Sequence, residues 1–103
     1  MGTYLLAYRG GSMPATDAER EESMKAWGTF LGALGDSVVD AGNPFGQAAT
    51  IGAGGVSDGA SSGLSGYSII SSGTLADASA QAKGCPIIAA GGSVEVHEIH
   101  PVM

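Results

Sequence analysis

The sequence predicts an α+β fold of the ferredoxin-like type, a βαββαβ plait with an antiparallel four-stranded sheet and two helices on one face. Three observations predict it: an apolar strand opens the chain, a long amphipathic helix pattern follows, and a shorter helix and a final strand close the second half. Two further short strands lie between the helices. At 103 residues, we expect a single domain over residues 1–103.

The first and last strands have clear local patterns. Residues 3–8, TYLLAY, are apolar and aromatic without clean alternation, which is typical of a strand buried on both faces. Residues 93–99, SVEVHEI, alternate between valines and polar side chains, which predicts a strand with two unlike faces. Pro101 ends that strand, because proline cannot donate to the next ladder hydrogen bond.

The longest predicted element is the first helix. Thr16 stands three residues before Glu19, the spacing of a capping box. Apolar side chains then recur at intervals of three and four, so they share one helical face. Gly42 followed by Pro44 favours a helix end. The pattern predicts a helix over residues 17–41.

The middle of the chain is rich in glycine, serine and alanine. A short strand over residues 49–51 and a second strand over residues 66–70 are predicted to pair as a ragged hairpin. The stretch IGAGG, residues 51–55, is similar to a phosphate-binding loop in composition alone. It is followed by no helix and accompanied by no lysine, which argues against nucleotide binding.

A second helix is predicted over residues 75–83. Thr74 is a suitable N-cap, and Asp77 lies at the third helical position. Pro86 then suits the start of another helical turn over residues 86–90.

The composition predicts a homodimer. Leucine, isoleucine, valine and phenylalanine together account for about a fifth of the chain, and the net charge is −6. Such a chain lies near the composition of disordered proteins and has few large side chains for a core of its own. Burying one sheet face against a second copy would supply the missing burial.

Charge and the arrangement of apolar residues exclude several partners. Four basic residues without a basic stripe do not favour nucleic acid or an anionic membrane surface. The single cysteine cannot form an internal disulfide. Neither a signal-peptide pattern nor a run of 18 apolar residues occurs, so we expect no membrane contact and a cytoplasmic location.

Candidate catalytic residues lie in the last strand and in the glycine-rich middle. Glu95 and His97 are two residues apart, so one strand face carries a carboxylate and an imidazole that could act as an acid–base pair. The alternative is a polar outer face or a polar patch in a dimer interface. Asp58 precedes Gly59 and is a third polar candidate, or serves only a turn.

Metal and thiol chemistry have weak support. His97 and His100 would point to opposite faces of a strand, and the carboxylates show no ligand spacing, so neither a metal nor any other cofactor is expected. Cys85 stands at a helix start, where the dipole could lower its pKa, but a small buried packing residue is the alternative.

A ligand cavity is predicted beside the first helix. Glycines 28, 32 and 35 lie along one edge of its apolar stripe, which indicates either close packing on the protein's own sheet or an opening for a ligand. The aromatic side chains that could line such a cavity, or serve as core, are Trp27, Tyr67 and Tyr8.

Three segments resemble the YCII-related proteins, in particular the branch named for a DGPF motif. They are GCPIIAAGGSVEVHEIHPV, VSDG with SGYSII, and TYLLAY, and together they extend the resemblance over nearly the whole chain. The resemblance implies a ferredoxin-like fold that dimerises through its sheets, the dimeric α/β barrel.

This chain departs from the family pattern at its motifs. Where the branch reads DGPF, residues 58–61 read Asp-Gly-Ala-Ser, so Asp58 is the one polar motif residue that carries over. The histidine on the first helix and the aspartate after the first strand, proposed as an active pair in some members, have no counterpart here. The family itself is largely without assigned activity.

Two functions are therefore expected. The first is a homodimer with a small-molecule pocket between the sheet and the first helix, which binds a small organic metabolite and could transform it without a cofactor. The second is a non-catalytic binding or regulatory module without an active site. Convergence of titratable groups in one pocket favours the enzyme, whereas separated and solvated Asp58 and His97 favour the module.

Overall fold

The computed structural model of this chain describes residues 2–11 and 14–101. The strands in these residues are β1 (Gly2–Arg9), β2 (Val38–Asp40), β3 (Ala49–Gly52), β4 (Gly55–Asp58), β5 (Leu64–Ser72) and β6 (Ser93–Ile99). The α-helices are α1 (Asp17–Leu34), α2 (Leu75–Ala82) and α3 (Pro86–Ala89), and one turn of 3-10 helix spans Gly35–Ser37.

Four strands form the main sheet in the order β2-β5-β1-β6, and every neighbouring pair is antiparallel. The predicted α+β class with an antiparallel sheet is confirmed. The arrangement is compatible with a ferredoxin-like plait.

The core lies between the helices and one face of the sheet. Tyr4, Leu6 and Tyr8 alternate along β1 and point to this face, where they are buried. Ile70 of β5 and Phe30 of α1 join the same apolar cluster. The described helices all pack on this face. The opposite face, here called the uncovered face, meets no described helix and is covered only in part, by an aromatic ring from the loop after β2.

Helix α1 begins where the sequence predicts. The Thr16 side chain accepts a hydrogen bond from the backbone N–H of Glu19 at 3.1 Å. The Glu19 carboxylate in turn accepts from the N–H of Ala15 at 2.7 Å. One N–H of the first helical turn and the N–H of the residue before the N-cap thus find partners, which stabilises the helix start.

The predicted end of α1 is wrong by seven residues. The helix ends at Leu34, because Gly35 takes a φ of 53°, a left-handed conformation that stops the helix while its N–H still bonds to the Leu31 carbonyl. Residues 38–40 become strand β2 on the edge of the sheet, since two consecutive valines favour extended backbone.

The predicted hairpin between residues 49–51 and 66–70 is also wrong. Strand β3 pairs with β4 through a turn at residues 53–54, and the two form a separate two-stranded sheet. Strand β5 pairs with β1 and β2 instead. Both long edges of β5 are therefore occupied, and no edge is left for β3.

The second half follows the predicted order. The Thr74 side chain accepts from the N–H of Asp77 at 3.1 Å and caps α2. Pro86 stands at the start of α3, and β6 has the predicted bounds, residues 93–99. The predicted C-terminal ends of α2 and α3 each differ from the observed ends by a single residue.

Gly42 is a position where the fold requires glycine. Its φ is 76°, and a Cβ atom there would overlap the carbonyl group of Tyr67. We expect Gly42→Ala to reduce the free energy of unfolding by about 3 kcal/mol or more, because it adds left-handed strain to a backbone clash. Urea unfolding monitored by Trp27 fluorescence at one fixed protein concentration measures this.

Gly46→Ala is the matched control in the same loop. A Cβ at Gly46 meets nothing within 4 Å, and its φ lies outside the left-handed region. Its expected effect is within about 0.5 kcal/mol. An equal reduction of the free energy of unfolding in the two variants would contradict the close approach of the loop to β5.

Candidate ligand cavity and the charged face opposite

A cavity of about 510 Å³ lies between the sheet, α1 and the loop that follows β2. Trp27 and Leu31 line it from the helix, Tyr8 and Ser68 from the sheet, and residues 41–44 from the loop. The volume falls in the range of small-molecule sites. The cavity lies beside the first helix, next to Trp27.

A chain of hydrogen bonds forms one polar part of the cavity wall, which uncharged Ser23, Asn43 and Ser65 also line. The Tyr8 hydroxyl donates to Ser68 Oγ at 2.7 Å, and the Ser68 hydroxyl donates to the Ala41 carbonyl at 2.7 Å. Both hydroxyl donors are thereby used within the protein. The Tyr8 oxygen keeps a lone pair, so it can accept a hydrogen bond from a ligand.

The cavity wall carries no charge at neutral pH. Burial raises the pKa of Tyr8 to about 12, which keeps its phenol protonated. Among the described residues, the wall includes no aspartate, glutamate, lysine, arginine or histidine side chain. The arrangement can hold a ligand and orient it, but it offers no group with a pKa near 7 for general acid–base catalysis.

Trp27 is the aromatic centre of the site. Its ring packs edge-on against Tyr8, with ring centroids 4.9 Å apart, and against Phe30 at 6.0 Å. Phe30 is buried, whereas Trp27 remains partly exposed. Contacts on two sides fix the indole, and its remaining surface is available to a planar ligand.

Tyr67 borders the cavity, but its ring belongs to the other side of the sheet. It is paired with Ala7 and follows Gly66, so alternation along β5 points it away from Tyr8. Its hydroxyl donates to Asp40 Oδ2 at 3.0 Å, and its ring stacks on Phe45. The hydrogen bond to Asp40 raises the pKa of Tyr67.

A charged cluster occupies the uncovered face of the sheet. Glu95 Oε2 lies 2.9 Å from Arg9 Nη1, and Glu95 Oε1 lies 3.0 Å from His97 Nε2. The hydrogen bonds from His97 and then from Arg9 hold the pKa of Glu95 below its usual value. Both oxygens of this carboxylate are engaged, and all three side chains are well exposed to solvent.

The structure separates the predicted catalytic residues. Glu95 and His97 contact each other, as the spacing indicates, but they lie on the face opposite the cavity. Asp58 ends β4, is paired with Ala49 and is exposed. None of the three lines the cavity in the described part of the chain. The structure therefore does not bring these groups together with Trp27 within one chain.

The predicted glycine edge faces open space. A Cβ atom at Gly28, Gly32 or Gly35 would meet nothing within 4 Å, so neither close packing on the sheet nor the lining of the cavity explains these glycines. Gly35 ends the helix. Nothing in the structure explains Gly28 and Gly32.

Cys85 is a packing residue. It is buried in the apolar cluster, and burial raises the pKa of its thiol to about 11. The neutral thiol persists at pH 7 and is a poor nucleophile.

Ser68 is the site residue that the sequence reasoning missed. In GYSIISS the alternation places Ser68 on the same face as Ile70 and Ser72, a polar residue at core positions of a strand. Such a residue must find a hydrogen-bond partner. That pattern is the signal that would have identified it.

Neither a metal-binding cluster nor a membrane-spanning helix occurs in the described residues. Over residues 2–11 and 14–101, no group of three or more histidine, cysteine, aspartate and glutamate side chains could hold a metal ion. No helix in that part of the chain has the length and apolar character needed to cross a membrane.

Comparison with known proteins found no matching family model, no matching curated protein and no matching solved structure. The resemblance to the YCII-related proteins stays a prediction.

Stability at alkaline pH tests the buried Tyr8 phenol. The unfolded phenol ionises near its ordinary pKa of 10.0, whereas the folded one holds its proton to about 12. The free energy of unfolding should therefore fall as pH rises between these values, by at most about 1.4 kcal/mol per pH unit. Cys85 adds a similar decline between 9.0 and about 11.

Tyr8→Phe removes one of these two contributions. Urea unfolding from pH 9 to 12 should show a shallower decline for the variant, most clearly above pH 11, where the Cys85 contribution is nearly complete. Parallel curves for the variant and the native chain would contradict the buried phenol.

Proposed function

We propose that this protein is a homodimer of the dimeric α/β-barrel type that binds a small, neutral, mainly aromatic molecule in the cavity beside Trp27. The observation that supports binding most strongly is the composition of the wall, which combines aromatic and aliphatic surface with one hydrogen-bond chain and no charge. Membership in the YCII-related family is part of the proposal.

The cavity chemistry selects against charged ligands. Moving a charge out of water is costly unless an opposite charge or several hydrogen bonds receive it. The Tyr8–Ser68 chain offers one lone pair on the Tyr8 oxygen, which suits a neutral N–H or O–H donor of the ligand. The exposed part of Trp27 suits a flat ring.

The uncovered sheet face supports the homodimer. Leu5, Ala7 and Ile69 form its apolar middle, and Ala7 is already buried by its neighbours. In the charged cluster Arg9 balances Glu95, so this face carries less net charge than the acidic N-terminal half of α1. A chain with a net charge of −6 meets a second copy with least repulsion at such a face.

A second candidate function is catalysis at the charged cluster, in agreement with the predicted roles of Glu95 and His97. The observation that favours it is the 3.0 Å contact between carboxylate and imidazole. An enzyme of this kind would act at the dimer interface without a cofactor and would bind its substrate away from Trp27. When substrate is added in an NMR titration, the imidazole resonances of His97 would then shift, while the fluorescence emission of Trp27 stays constant.

Fragment binding tests the leading proposal. Trp27 is the single tryptophan, so its fluorescence reports the cavity directly. Benzamide, benzoate and benzamidine have nearly the same shape and differ in charge. We expect benzamide to quench Trp27 with a dissociation constant at least tenfold lower than that of either charged analogue, about 1.4 kcal/mol.

Two variants of α1 serve as test and matched control. Ser23 lines the cavity, whereas Ala26 on the same helix is exposed outside it. Ser23→Leu should abolish benzamide binding by filling space, and Ala26→Leu should leave it unchanged. Equal affinity for the three fragments, or equal binding by both variants, would contradict a neutral site in this cavity.

A further inference from the structure

The hairpin of β3 and β4, here called the arm (residues 49–58), stands apart from the rest of its own chain. Its two strands pair only with each other among the described residues, and all eight strand residues are exposed. At its base, the Thr50 hydroxyl donates to the Gly59 carbonyl and the Gly59 N–H donates to the Ala48 carbonyl, both at 2.8 Å.

An isolated arm of this kind is poorly stabilised. Two-stranded hairpins are marginally stable in water unless they pack on something. Ile51 and Val56 lie directly opposite each other near the tip, and each is 73% exposed. The remaining tip residues 52–55 are glycine and alanine, which add little cross-strand contact. The arm therefore has an apolar pair that lacks a surface to cover it.

The surface area of the chain indicates how large the missing contact is. The accessible surface is 6935 Å². A folded monomer of 10.1 kDa is expected to expose about 5,300 Å². The excess, roughly 1,600 Å², is larger than the ~800 Å² that each partner buries in a standard interface. One chain thus exposes enough surplus area to form a stable dimer.

Charge favours a second copy as the partner. Asp58 is the one charged residue of the arm, and it lies at the base, two residues beyond Val56 on the same face, so residues 51–56 carry no charge. The tip can therefore approach another chain of net charge −6 without repulsion. A basic partner, by contrast, would find no acidic group to pair with at this tip.

We infer that the arm of each subunit lies on a second copy of this chain, with the Ile51–Val56 pair buried against the partner. The arms add to the contact between the two sheet faces. Each arm carries an apolar pair that its own chain leaves exposed and that the partner covers. The inference rests on the homodimer in the proposed function and adds to it the segment that fastens the two copies.

The test compares two aspartate substitutions on adjacent residues of one strand. Val56→Asp places a charge on the apolar side of the arm, and Ser57→Asp places the same charge on the opposite side. Sedimentation equilibrium should show the dimer dissociation constant raised at least 100-fold by Val56→Asp and changed less than threefold by Ser57→Asp. Ile51→Asp, directly across the arm, should reproduce the effect of Val56→Asp.

The arm contributes no residue to the apolar core, so we expect the variants to keep the fold of the subunit. Far-ultraviolet circular dichroism checks this. A native dimer that Val56→Asp and Ile51→Asp leave unchanged would overturn the inference and leave the homodimer standing. A native chain that stays monomeric at 100 µM would overturn both. Benzamide quenching of Trp27 is measured separately, so failure of the cavity and failure of the arm are distinguished.

Discussion

The structure depends on one constraint: the central strand β1 is covered by helices on one face, whereas no helix of the described residues covers the other. The largest fully buried side chains are Leu6, Ile70 and Ser68, one of which is polar. The molecule measures only 18 Å along its shortest axis, the depth of one sheet and one helix layer. Because so little apolar surface is buried inside one chain, the second sheet face and the arm are the surfaces on which the proposed second copy would add burial.

Ser68 links this thin core to the cavity. As a serine at a core position it needs partners, and it finds them in the Tyr8 phenol and the Ala41 carbonyl. The hydrogen bonds join β1, β5 and the loop after β2, which forms the roof of the cavity. Gly42 lets that loop approach β5 closely. The serine that completes the core therefore also shapes the cavity wall.

Local signals in the sequence predicted the elements that depend on local chemistry. Thr16 and Thr74 accept hydrogen bonds from the N–H groups three residues later, and the alternation of β6 sets its two faces. Trp27 and Tyr8 were predicted to line a cavity, and the structure brings them together.

Tertiary pairing decided what the sequence could not predict. Gly35 ends α1 although Gly28 and Gly32, the same residue type in the same pattern, do not, because only Gly35 adopts a left-handed φ. Strand β2 forms because its backbone pairs with the free edge of β5. Asp58 is separated from Glu95 because β3 and β4 close on each other, and no feature of either strand alone reveals that choice.

The dependence of unfolding on protein concentration tests the central claim most directly, namely that a second copy completes this fold. Partner binding stabilises only the folded state, so its contribution follows mass action. The urea midpoint of the native chain should rise steadily as the concentration increases from 0.5 to 50 µM. A midpoint that stays constant over this range, with a cooperative transition, would show that one chain is stable by itself and would contradict the account.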